Sequence, residues 1–240
     1  MLHETSPLPT LTRPQYGVDA PAFPAVLGGA GVSCCCAAAL SFATAPMAAV
    51  GALLLANAGI YMHTTLRGKF RIWERELDRA GLRGDEELLD MGCGRGAVLI
   101  AAAKRLPAGR AVGADLWTAD QSGNGPEATL ANAAAAGVAD RVEVHTANMT
   151  ALPFEDASFD VVTSAMAIHN IRSAEGRLQA VDEAVRVLRP GGQLLIADPW
   201  PMTRKYARHL KRGTLRPLGP GYWYGGPWLG VTLLRLVKER

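Results

Sequence analysis

The sequence predicts an α/β domain built on a largely parallel sheet with helices on both faces, preceded by an apolar helical hairpin. Three observations predict it. From residue 87 onward, apolar runs of strand length alternate with stretches of helical length. The first run, Glu87 to Met91, ends in the turn Gly92-Cys93-Gly94-Arg95-Gly96 and passes directly into Ala97–Ala103, which reads as strand, tight turn, helix. Residues 20–66 hold no Asp, Glu, Lys or Arg, a run of 47 residues, against the ~20 needed for one membrane crossing.

In chain order, residues 1–22 are expected to be irregular, since residues 1–19 carry three prolines and little apolar periodicity. Residues 23–66 are expected to form a transmembrane hairpin. One helix runs from Phe23 to Ala43 and the other from Met47 to Thr65, with the turn at Thr44-Ala45-Pro46 because proline breaks a helix interior. Small residues let the two helices pack closely. A signal peptide is disfavoured: Asp19 precedes the run, the basic flank is missing and the run is too long. A soluble hairpin packed on the domain is the competing reading. Arg67, Lys69, Arg71 and Arg75 follow the run, so the positive-inside bias puts the following domain, and with two crossings the amino terminus, in the cytoplasm.

Residues 67–84 are expected to be an amphipathic linker helix, with Phe70, Trp73, Leu77 and Ala80 on one face. Residues 85–240 form the α/β domain. Strands are expected near 87–91, 110–115, 141–146, 158–164 and 192–198, and helices near 96–105, 126–136 and 174–188. The tail from Met202 adds a helix and two strands, the last at Val231 to Val237. Ligands of such sheets sit at the carboxyl ends of the strands. Asp90, Asp115, Asn148, Ser164 and Asp198 all fall there and are expected to share one crevice.

Composition excludes several classes. A net charge of +3 is too small to argue for nucleic acid. The four cysteines make no disulfide framework, and Cys34, Cys35 and Cys36 are adjacent, so they cannot converge on one metal. No metal site is expected. Cys93 is expected as a small packing residue in the turn.

The glycines at 92, 94 and 96 let a ligand lie on the backbone. Gly92, Gly94 and Ala97, with Asp115 beyond, also satisfy the dinucleotide pattern, so a nicotinamide-dependent oxidoreductase stays open. Asp90 favours another ligand, because a carboxylate beside the glycines suits an ammonium group and not a pyrophosphate.

The segment from Asp90 to Gly96 resembles the first motif of the class I S-adenosylmethionine (SAM)-dependent methyltransferases. The resemblance continues in order through Ala111–Asp115, Ala147-Asn148-Met149, Leu152–Val162 and Val187–Ile196, and covers about residues 70 to 240. It implies a Rossmann-like seven-stranded sheet, closed by an antiparallel strand, and SAM as cofactor. The cofactor contacts it implies are Asp90, Gly92, Cys93, Gly94, Gly96, Asp115, Leu116, Trp117, Asn148, Met149 and Ser164. Asp115 would accept from both ribose hydroxyls. Asn148 stands where the family usually has Asp, and its amide oxygen would accept from the adenine amino group. That substitution keeps open a SAM-binding module without turnover. Trp117 would cover a face of the ribose or adenine, and the polar residues 118–124 would form a lid.

His169, just after the fourth strand, is either the general base for an oxygen or nitrogen acceptor or a histidine that only hydrogen-bonds the backbone. Tyr222, Trp223, Tyr224 and Trp228 are expected either to line an acceptor pocket or touch lipid, or to pack the closing hairpin. Arg204, Lys205, Arg208, Lys211 and Arg212 make a basic helix, expected as a solvated face. The motifs look most like the group that includes the ubiquinone and menaquinone methyltransferases. With a membrane hairpin, this implies a small lipophilic acceptor.

Overall fold

The computed structural model describes residues 11–40, 44–118, 121–226 and 230–239. Trp228 and the Ser41–Ala43 connection of the hairpin lie outside the described residues. Helix α1 spans Ala22–Leu40, α2 Thr44–His63 and α3 Lys69–Ala80, with a π-helical turn at Thr64–Gly68 joining α2 to α3. Strands and helices then alternate: β1 Glu87–Met91, α4 Ala97–Ala103, β2 Arg110–Asp115, α5 Pro126–Ala135, β3 Val142–Thr146, β4 Phe159–Ala165, α6 Ala174–Val187, β5 Leu188–Pro199, α7 Trp200–Leu210, β6 Thr214–Pro217 and β7 Val231–Val237. The seven strands form one sheet in the order β3-β2-β1-β4-β5-β7-β6. The first five are parallel, and β7 is antiparallel to both β5 and β6. This is the Rossmann-like sheet expected from the sequence, with helices on both faces.

Each face buries its own cluster because side chains alternate along a strand. On one face, Leu88, Ala111 and Val161 pack with Trp73 and Leu77 of α3 and Leu99 and Ala103 of α4. On the other, Leu89, Val112, Val162 and Ile196 pack with Ala180, Val181 and Ala184 of α6 and Tyr206 of α7. Helix α3 is therefore a layer of the domain and not a free linker.

The hairpin departs from expectation at its turn. Pro46 lies in the first turn of α2 and does not end a helix. A proline is tolerated there because the first-turn N–H groups have no intrahelical acceptor. The hairpin helices approach closely through Gly31 and Gly51. A Cβ on Gly31 would stand 3.1 Å from the Gly51 carbonyl, and one on Gly51 would stand 2.5 Å from Cys35 Sγ. Phe23, Val26, Val32, Leu40, Val50, Leu53 and Leu55 are exposed. By length and composition, α1 and the continuous helix from Ala45 to Ala80 could each cross a bilayer, and most of their apolar windows are unburied. A hairpin packed on the domain as a soluble element would bury these side chains.

Lys69 also departs from expectation. Arg67, Arg71 and Arg75 face solvent, but Lys69 is buried and ion-paired with Asp19 at 2.8 Å. The described residues ahead of α1, 11–21, hold no helix or strand, as expected, yet residues 15–19 are bound to the domain. Gln15 and Asn132 of α5 exchange two hydrogen bonds, Val18 and Ser122 two more, and Asp19 bridges Gln121. Sequence reading missed this strap because it has no periodicity and its partners lie more than 100 residues away.

Candidate active site

The site forms where β1 meets β2 and β4. Gly92 donates its N–H to the Ala114 carbonyl at 2.7 Å, and Gly94 donates to Asp115 Oδ2 at 2.8 Å, which ties the glycine turn to the end of β2. Thr129 of α5 donates to the Gly94 carbonyl, and Asn132 to the Arg95 carbonyl. Gly92 has φ +73°, and a Cβ there would lie 2.2 Å from Ala167 Cβ. Gly92→Ala is therefore expected to cost about 1–3 kcal/mol and to close the floor of the site. Thermal unfolding and SAM titration of that variant check both effects; wild-type values in both would contradict the packing described here.

The turn opens onto a cavity of about 460 Å³, within the range of small-molecule sites. Among the predicted residues, Asp90, Gly92, Cys93, Gly94, Asp115, Leu116, Asn148, Met149 and His169 line it. Three do not. Gly96 starts α4 behind the turn. Trp117 turns aside, with φ +57° and its indole Nε1 donating to Thr146 at 2.7 Å, so it does not cover the ribose position. Ser164 points to the opposite face of β4, because the period of two that sends Thr163 toward Asp90 and Ala165 into the cavity sends Ser164 away. Thr118, Gln121 and Asn124 of the polar loop do line the cavity. Asn148 is exposed at its edge, and its amide oxygen accepts from the Thr150 N–H at 3.0 Å. That oxygen therefore closes its own turn, and only its second lone pair faces other partners.

Asp90 is fully buried. It accepts from the Thr163 hydroxyl at 2.8 Å and from the Leu99 N–H, and burial pushes its carboxyl up to about 7. Among the described residues Asp90 makes no ion pair, and the Asp115 charge raises it further. A buried carboxylate without a cation is costly unless a cationic ligand completes it. Asp115 accepts from the Gly94 and Trp117 N–H groups, one on each oxygen. Burial, with the charges of Asp90 and Asp115, holds the Cys93 thiol well above its usual value. The thiol is thus a neutral packing group, filling the space left by Gly113 of β2.

His169 enters the cavity from the loop after β4. Its Nδ1 lies 2.9 Å from Asp198 Oδ1, and its backbone N–H donates to Asp198 Oδ2 at 3.0 Å. Tyr206 of α7 donates to Asp198 Oδ2 at 3.1 Å. Asp198 has no exposed surface. Sequence reading placed Asp198 in the same crevice without a role; it lies beneath His169, not in the lining. Further walls come from segments outside the glycine turn, and of these only the tail tyrosines were expected from sequence to line a pocket, as one alternative. These walls are Asp19 and Ala20 of the strap, Tyr61, Lys69, Phe70 and Trp73 at the hairpin foot, and Tyr222 and Tyr224 of the tail. Tyr222 accepts from Trp73 Nε1 at 3.0 Å, and Tyr224 donates to Asp19 Oδ2 at 2.5 Å. Of the aromatic cluster, these two tyrosines are cavity walls.

The sheet order, the glycine turn and the two strand-end carboxylates define a class I SAM-dependent methyltransferase domain. Residues 89–196 match the protein family described as "Methyltransferase domain". It is 35% identical over 133 residues to the ubiquinone/menaquinone biosynthesis C-methyltransferase UbiE of Hahella chejuensis, covering 55% of this chain and 50% of that one. It is also 35% identical over 132 residues to the 27-O-demethylrifamycin SV methyltransferase of Amycolatopsis mediterranei, covering 53% and 44%. The chain thus spans about half the length of the curated relatives it matches. A geranyl diphosphate methyltransferase structure in complex with SAM superposes with a TM-score of 0.55 at 19% identity, over 71% of this chain and 85% of that one. A SAM-dependent methyltransferase from Aquifex aeolicus gives 0.54 at 19%, over 69% and 88%.

The residues present fit SAM. Asp90 calls for an ammonium, the bare Gly92 backbone leaves room that a Cβ would fill, and the Asp115 carboxylate lines the cavity at the end of β2, where a diol would find an acceptor. A pyrophosphate would be repelled by the Asp90 carboxylate that lines the cavity beside the glycine turn.

Proposed function

We propose that the protein transfers a methyl group from SAM to a small lipophilic acceptor at the membrane surface, with His169 as general base. Bound SAM supplies a methyl group activated by a sulfonium. Asp90 holds the amino end of that cofactor, Asp115 its ribose, and Leu116, Met149 and the backbone of the glycine turn pack about it. Catalysis of such an in-line displacement comes largely from holding the acceptor atom in line.

One observation carries the assignment of the base: the His169 ring is anchored through Nδ1 on the buried Asp198. Asp198 also accepts from the His169 N–H and from Tyr206. In that setting Nδ1 is the donor and Nε2 keeps the lone pair, which suits it to take a proton from a hydroxyl or amine acceptor. The relatives named above include a C- and an O-methyltransferase, so kinship leaves the acceptor atom open.

The acceptor class rests on the hairpin. Its uncharged, exposed helices favour insertion in a bilayer, with the domain on the cytoplasmic side next to Arg67, Arg71 and Arg75. The hairpin foot supplies Tyr61, Phe70 and Trp73 to the cavity wall, so an acceptor concentrated in lipid would meet the site beside the membrane. In membranes washed with alkaline carbonate, the full-length protein should stay in the pellet; complete release would remove the anchor. Incubation with labelled SAM and a membrane lipid extract should label an organic-soluble product, and exclusive labelling of a water-soluble one would overturn the acceptor class.

A further inference from the structure

We propose that Lys69 is the ligand of the cofactor's carboxylate, poised in the cavity by Asp19. The assignment rests on the methyltransferase reading and names a contact that reading leaves open. SAM carries an ammonium, a diol and a carboxylate. Asp90 and Asp115 answer the first two. Among the described residues that line the cavity, Lys69 is the one formal cation.

Its setting is built for a second anion. The ammonium donates to both Asp19 oxygens, at 2.9 and 2.8 Å. An ammonium has three N–H donors, so one remains for the cavity that Lys69 lines. Asp19, by contrast, is saturated: Thr65, Tyr224 and Gln121 also donate to its carboxylate. Those contacts hold Asp19 charged and below the usual carboxylate range despite burial, with Lys69 the main opposing charge. Asp19 is therefore a fixed support, and the free valence of the pair belongs to Lys69. Tyr222 lines the same cavity as Asp19, Lys69 and Asp90, so the ion pair and the ammonium-binding carboxylate face one space.

The backbone explains how Lys69 comes to face inward among exposed arginines. The π-helical turn at Thr64–Gly68 shifts the register between α2 and α3. Gly68 packs directly on the Gly221 carbonyl, and a Cβ there would have no room. Burying an ion pair carries a desolvation cost that its mutual attraction does not reliably offset, so its presence on a cavity wall points to a ligand.

The test is calorimetry on the full chain in detergent micelles with three probes: SAM, decarboxylated SAM and methylthioadenosine, which lacks the amino-acid end. Wild type should bind SAM at least tenfold more tightly than decarboxylated SAM. Lys69→Met should bind those two alike, with methylthioadenosine unchanged. The double variant Asp19→Asn/Lys69→Met removes both buried charges, so it remains foldable if the single variant is not, and should show the same loss of preference. Lys69→Arg should restore part of the preference. Equal weakening of all three probes would make Lys69 a structural residue, and an unaltered preference in both variants would likewise overturn the assignment. If wild type bound none of the three, the methyltransferase reading itself would fall; if it bound all three and the variants behaved as wild type, only the role of Lys69 would.

Discussion

Asp90→Asn is expected to abolish SAM binding and to make the free protein more stable than wild type. The two effects have one cause. The carboxyl is fully buried with only Thr163 and the Leu99 N–H to support its charge, and burial raises it to about 7. A carboxylate whose folded value lies above its unfolded value binds the proton more tightly in the folded state. The resulting penalty is absent below the unfolded value near 4, grows as pH rises, and is complete above about 7, where it reaches on the order of 2–4 kcal/mol. Asn carries no charge and escapes it. The same Asn offers the ammonium of SAM a neutral amide oxygen in place of a negative charge. For wild type the sign follows: ligand binding requires the ionised carboxylate, so SAM affinity should fall by up to tenfold per pH unit below about 7 and level off above it. Thermal unfolding at pH 8 and calorimetry across pH 5.5–8.5 check these expectations. A variant that still binds SAM, or wild-type binding that is flat with pH, would show that another group meets the cation.

Replacing His169 with Gln should lower turnover by about 10²- to 10⁴-fold, the usual contribution of a positioned general base, with SAM affinity within about twofold of wild type. The ring lines the cavity but is fixed from the far side by Asp198, so its loss removes proton transfer without disturbing the glycine turn. Asp198→Asn tests the arrangement more finely. An Asn can present its amide N–H to Nδ1, which moves the ring proton to Nε2 and leaves no lone pair for the acceptor. A comparable loss of turnover is expected there. Measured with labelled SAM and lipid extract, unchanged turnover in His169→Gln would remove this residue from the mechanism and favour catalysis by alignment alone.

Much of this architecture was legible in the chain because it is local. Leu88 and Leu89 send side chains to opposite faces of β1, the glycines follow at once, and Ala97 begins α4. Such strand–turn–helix units read directly from apolar period and turn chemistry, and their repetition implies a parallel sheet. Strand β5 begins at Leu188, four residues ahead of expectation, because Leu188 pairs with Phe159 of β4 ahead of a register shift, and Gly191 and Gly192 hydrogen-bond with Lys238 through a proline-glycine stretch that reads locally as a turn. Trp117 and Ser164 were misplaced for a similar reason. Being near a strand end in sequence does not say which way a side chain points, and the pleat and a left-handed backbone at Trp117 decide that.

By itself the amino-acid order determined the strand sequence, the glycine turn, the carboxylates at 90 and 115 and the uncharged run of residues 20–66, since each is written in contiguous residues whose period or spacing has one physical meaning. Only the tertiary structure decided that Asp19, Lys69, Gln121 and Tyr224 meet on one cavity wall, and that Asp198 lies beneath His169. Those contacts join residues 29 to 205 positions apart, and charge pairing carries no periodicity along the chain, so nothing short of the folded arrangement could select these partners.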